Sequence, residues 1–169
     1  MEFLTTEITD DMSDLEKFVR QEADNYVNST MFLSSISTHH KHIDSVVEKG
    51  KEVTPYVVKL YKENGDYSNQ NMYTHFFLIV MHRLYGNPFD RYVGMEFCVR
   101  YWMKRYEHDL LDDHGENTDD EKEKKFLLDL FQCKDIEELK NNKSESYELI
   151  KKESDVCLFF VIFILINLN

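Results

Sequence analysis

The chain has 169 residues, and its 32 acidic side chains against 20 lysines and arginines give a formal net charge of -12. That length suits one domain or two small ones with a real core, while the acidity disfavours a general nucleic-acid binder, which needs a basic footprint on phosphate. Only two prolines and five glycines interrupt it, and 14% of the residues are aromatic, so long helices with a Phe- and Tyr-rich core are expected rather than strands and turns.

Ser13-Asp14-Leu15-Glu16 has the form of a capping box, and Leu15, Phe18, Val19 and Tyr26 recur on one face, so a first helix is expected from Ser13 to about Asn28. Ile43, Val46 and Val47, then Val57, Leu60 and Tyr61, repeat the i, i+3, i+4 spacing of two amphipathic helices, Lys41–Lys49 and Pro55–Lys62. Gly50 is expected to stop the first of these, with Thr54 as N-cap and Pro55 as first residue of the second. Asn64-Gly65-Asp66 opens a polar, turn-rich loop. Met72–Tyr85 follows, with Phe76, Phe77, Val80, Met81 and Leu84 around more than half its circumference, so this helix should be central. After Gly86-Asn87-Pro88, a helix Asp90–Leu111 carries two apolar rows, Val93, Phe97, Tyr101 and Met95, Val99, Trp102, Tyr106.

From Glu107 to Glu123 nine acids face the single Lys122, which reads as a solvated joint. Thr118 is expected to cap a helix bearing Phe126, Leu127, Leu130 and Phe131, and Asp135 a short one through Leu139 and Lys140. Two divisions follow: a helical-hairpin core over 1–112, and an acidic joint with C-terminal helices and an apolar tail over 113–169. In that tail every residue from Val156 to Leu168 except Asn167 is apolar. As a helix it spans roughly 20 Å, short of a roughly 30 Å hydrocarbon core, so burial or self-association through Val156–Leu168 is preferred to membrane attachment.

Chemistry is sparse. Cys98, Cys133 and Cys157 are odd in number and widely spaced, which fits reduced thiols and a cytoplasmic protein, as does a first stretch without a basic, apolar leader. No glycine-rich phosphate loop and no G-x-S-x-G turn occurs, and no cofactor is indicated. His39 and His42, i to i+3, could share a helical face and hold a metal, which frames the alternative function: a metal-dependent hydrolase or nuclease. The preferred reading is a non-enzymatic adaptor or inhibitor that binds another protein. The acidic run supplies its candidate contact residues, Asp109, Asp112, Asp113, Glu116, Asp119, Asp120 and Glu121, and implies a basic partner such as a toxin or nuclease.

His42-Ile43 through Gly50, with Val53, Pro55, Val57, Val58 and Leu60, resembles the unit of HEAT and armadillo-type repeats, in which a proline opens the second helix of each pair. Ser34-Ser35, Gly50, Pro55, Gly86-Asn87-Pro88 and Trp102 together are also similar to a group of small bacterial helical proteins. The resemblance covers about the middle half of the chain. It implies an all-α, compact array of antiparallel helical hairpins and no agreed catalytic residues; two units are fewer than the three or more of a self-sufficient solenoid, so either the terminal helices act as caps or the domain is a compact bundle.

Overall fold

In a computed structural model of the chain, the described residues are 6–30, 40–67, 70–88, 94–112 and 120–141. Among them are seven α-helices and no strand, so the all-α expectation holds: α1 (Asp14–Thr30), α2 (Lys41–Val47), α3 (Thr54–Asn64), α4 (Met72–Tyr85), α5 (Met95–Glu107), α6 (Asp120–Phe131) and α7 (Ile136–Asn141). The Thr118 cap, residues 89–93 and the apolar run Val156–Leu168 lie outside the described residues. No helix among the described residues is long and apolar enough to cross a membrane. The chain divides into two compact units, Met1–Gly86 and Asn87–Asn169. The boundary expected after residue 112 therefore falls inside the second unit, because α5 packs with α6.

In the first unit α4 is the central element, and it touches α1, α2 and α3. Its sequence explains this: eight of its side chains are buried, including Phe76, Phe77, Val80 and Met81 on the expected face, and Tyr73, Leu78 and Ile79 beyond it. A helix apolar on most sides must be covered on most sides. Asn71 starts it by accepting the Thr74 N–H on its side chain at 3.1 Å. Ile43 and Val46 of α2, and Val57, Leu60 and Tyr61 of α3, are buried as their spacing requires.

The α2–α3 connection differs in detail from its expected form. Helix α2 ends at Val47, and Gly50 sits at φ 77°, ψ −165°, a region essentially closed to side chains with a Cβ. A 3₁₀ turn, Lys51–Val53, then winds directly into α3. Thr54 is thus not an N-cap. It is helical at φ −52°, ψ −48°, buried, and its Oγ1 shares a 2.8 Å hydrogen bond with the Tyr85 hydroxyl. Pro55 keeps its place in the first turn, where its missing N–H costs nothing.

In the second unit α5 starts only at Met95, because Gly94 before it adopts φ 66°, ψ 141°. It ends at Glu107, four residues before the expected Leu111. Asp109 is left-handed at φ 57°, and the Leu110 N–H returns to Arg105 O at 2.9 Å, closing the helix. Met95, Val99, Tyr101 and Trp102 are buried on α5, and Phe126, Leu127 and Leu130 on α6. Asp135 caps α7, as expected, by accepting the Glu138 N–H at 2.7 Å.

Candidate functional site

The acidic stretch is entered through a tightly held helix end. Arg105 is buried, and its guanidinium lies 5.5 Å from the ring centroids of both Tyr101 and Phe126 and donates to Leu110 O. His108 Nε2 stands 2.7 Å from Asp129 Oδ2, so the end of α5 is also tied to α6. These buried anchors leave Glu107, Asp109 and Asp112 exposed on one side of the stretch and Glu121 exposed on the other. Lys104 and Lys124 partly offset them, at 3.1 Å from Glu107 and 2.8 Å from Glu121. Asp120 is the first residue of α6, and Asp113, Glu116 and Asp119 lie outside the described residues.

His40 and His42 make their contacts within the first unit. His39 lies outside the described residues, while His42 Nδ1 is 2.8 Å from Glu22 Oε2, a contact that joins α2 to α1. His40 is the N-cap of α2 and accepts the His42 N–H at 3.4 Å on Nδ1, while its Nε2 is 3.3 Å from Ser29 Oγ. Its ring stands edge-on to Tyr26 with centroids 5.2 Å apart. Burial, then the neighbouring His42 and Lys41, depress the His40 pKa, which keeps Nδ1 free to accept. No group of three or more His, Cys, Asp or Glu among the described residues is disposed to hold a metal ion.

The polar network that carries most of the buried charge was not among the sequence candidates. Arg20, 3% exposed, donates to Glu16 Oε1 at 3.1 Å and reaches Glu63 Oε2 at 2.7 Å, and Lys59 meets the same Glu16 oxygen at 2.8 Å. The contact with Lys59, followed by Arg20, holds the Glu16 carboxyl below its ordinary range against the opposing effect of burial. One turn on, Asp24 accepts from Thr6 N at 2.8 Å, Thr6 Oγ1 at 3.1 Å and the Tyr73 hydroxyl at 3.0 Å. The available signal was the spacing Glu16, Arg20, Asp24, i, i+4, i+8 on the face that also bears Val19, Ala23 and Val27. The Glu16 member of the expected capping box is spent in this network, while Ser13 Oγ does accept the Glu16 N–H at 3.1 Å.

Tyr26 is the exception to this satisfaction: it is 0% exposed, its hydroxyl has no hydrogen-bond partner among the described residues, and burial pushes its pKa up to about 12. It is inert as an acid or base near neutrality. Comparison of the chain with protein-family models, curated proteins and solved structures finds no match.

Proposed function

We propose that the chain is a non-enzymatic protein-binding module whose acidic stretch Glu107–Glu123 steers a basic partner. The observation that carries this reading is the exposure of Glu107, Asp109, Asp112 and Glu121 at the two ends of that stretch, in a protein of net charge -12. Like charges on an exposed surface project a field that raises association rates with basic surfaces. A second support is that the buried charged side chains Glu16, Arg20, Asp24 and Arg105 are all engaged within the fold, as ties between segments rather than as groups aimed at a substrate. The HEAT-like reading of the α2–α3 pair belongs to the same proposal, since stacked helix pairs build extended binding faces. So does a cytoplasmic location, which suits the odd number and wide spacing of Cys98, Cys133 and Cys157.

The test is capture from extract of the source cell on the immobilised chain, with Asp109→Asn, Asp112→Asn, Glu121→Gln as the neutralised variant. A basic protein retained at stoichiometric yield by the wild type, and released by the variant or by modest salt, is expected. Association should slow as the screening length falls from about 30 Å to about 10 Å. Equal capture by the two proteins, independent of salt, would remove the acidic stretch from the account.

A further inference from the structure

We infer that Asn64–Gly65 is a latent modification site, at which the Gly65 peptide nitrogen closes on the Asn64 side-chain carbonyl carbon, expelling ammonia, when the α3–α4 junction opens. Asn-Gly is the sequence best suited to this chemistry, because glycine has no Cβ to shield the attacking nitrogen and leaves the backbone free to turn.

The folded chain engages both reactants in other hydrogen bonds. Asn64 is the last residue of α3, and the Gly65 N–H donates to Tyr61 O at 2.7 Å as the closing bond of the helix. The Asn64 carboxamide turns back to donate from Nδ2 to Leu60 O at 3.2 Å, and the Asn64 carbonyl accepts from Asn71 Nδ2 at 2.9 Å. Asp66 is clamped by Thr74 Oγ1, which accepts from its N–H at 3.1 Å and donates to its carbonyl at 2.6 Å. Gly65 itself leaves no room for a side chain beside the Tyr61 ring. A Cβ there would stand 2.2 Å from Tyr61 Cδ2, and that ring is stacked on Phe77 at 4.7 Å between centroids. Ring closure therefore requires the end of α3 to leave Tyr61, Leu60 and Asn71 first.

In the reaction the bond between Gly65 N and Asn64 Cγ forms and the Cγ–Nδ2 bond breaks. The proton lost from Gly65 N is carried by solvent to the departing ammonia. Water then opens the cyclic imide at either carbonyl, leaving aspartate or isoaspartate at position 64. Aspartate sets a carboxylate against Leu60 O, acceptor against acceptor, at the negative end of the α3 dipole, whereas isoaspartate carries its free carboxylate on Cα and loses the amide carbonyl that accepts from Asn71. Isoaspartate also lengthens the backbone by a methylene just where Gly65 is pressed on Tyr61. The modified junction does not reclose in its original form, so the site records opening as an irreversible mark.

The full-length chain is held at mildly alkaline pH, folded or in urea, and Asn64 conversion is followed by peptide mapping with isoaspartate-selective detection. Folded wild type should react about tenfold or more slowly than the chain in urea, because the rate tracks the open population. Asn71→Ala should speed the folded reaction several-fold, and native-state hydrogen exchange of the Gly65 N–H should rise in parallel. Equal rates in folded and unfolded wild type would overturn the inference. So would a Gly65 exchange rate that rises in Asn71→Ala while Asn64 conversion stays fixed.

Discussion

Lys59 Nζ and Glu16 Oε1 stand 2.8 Å apart across 43 residues of chain, and the carboxylate they share with Arg20 binds α3 to α1. The two cations are not equivalent. Lys59 is 51% exposed and Arg20 3%, so solvent screens the first contact and not the second. Lys59→Met should cost about 0.5 kcal/mol, whereas Glu16→Gln, which leaves Arg20 leaning on the half-exposed Glu63, should cost about 2–3 kcal/mol in denaturant unfolding. The pair Glu16→Leu with Arg20→Met should return within about 1 kcal/mol of wild type. A Lys59 variant as damaging as Glu16→Gln would show that burial does not rank these interactions.

His82 sets an acid-sensitive component of stability. Burial on α4 depresses its pKa to about 4, against about 6.5 when unfolded. A depressed histidine favours the folded state fully above the unfolded value. As pH falls from about 6.5 towards 4 the unfolded chain takes up the proton first, so that stabilisation is lost, amounting to about 2–3 kcal/mol. His82→Gln removes the linkage. The stability difference between wild type and variant, from urea melts at pH 7 and pH 4, should shrink or reverse by that amount. A difference constant across this window would mean that native His82 protonates freely.

How far the sequence reaches is visible in particular residues. Met72–Tyr85 was legible because its signals agree: a nearly all-round apolar surface after a polar loop, and Gly86 at the end. Thr54 misled because Thr-Pro reads as a cap in isolation, whereas the preceding 3₁₀ turn had already set helical backbone there. Charged residues are assigned to solvent by default, so Glu16, Arg20 and Asp24 were passed over although they share a helical face with Val19 and Ala23. Their partners Lys59, Glu63 and Tyr73 come from other helices, and long-range pairing leaves no local trace. Glu107, Asp109, Asp112 and Glu121, the exposed acids among the described residues, follow the expectation that such a run is solvated.

Helices α5 and α6 end alike, and both ends carry a conformational cost. Asp109 and Gln132 are left-handed at φ 57°, with Leu110 N to Arg105 O at 2.9 Å and Cys133 N to Leu128 O at 2.8 Å. Glycine is the usual residue at this position. Gln132→Gly should therefore stabilise the protein by about 0.5–1 kcal/mol, and Asp109→Gly by less, since aspartate tolerates the left-handed region. Gly50→Ala is the mirror case and should destabilise by about 1 kcal/mol or more, although space around Gly50 is open. Thermal melts of the three variants decide the point; a stabilising Gly50→Ala would refute the backbone explanation.

Asp24 fastens the chain preceding α1. Its Oδ2 accepts both the N–H and the hydroxyl of Thr6, and its Oδ1 accepts from Tyr73 of α4. The tyrosine bond is made to the Asp24 carboxyl in a buried setting, and burial first, then Asp24 itself, raises the Tyr73 pKa, so the phenol stays protonated as a donor near neutrality. Tyr73→Phe removes one donor but leaves Thr6, and should cost about 1.5–2 kcal/mol. Asp24→Ala orphans three donors at once, two of them on Thr6. Its cost should exceed that of Tyr73→Phe by at least about 1 kcal/mol, and it alone should expose the Thr6 N–H to rapid hydrogen exchange. If Tyr73→Phe releases the Thr6 amide as fully as Asp24→Ala does, the segment is held by packing on α4 and not by the carboxylate.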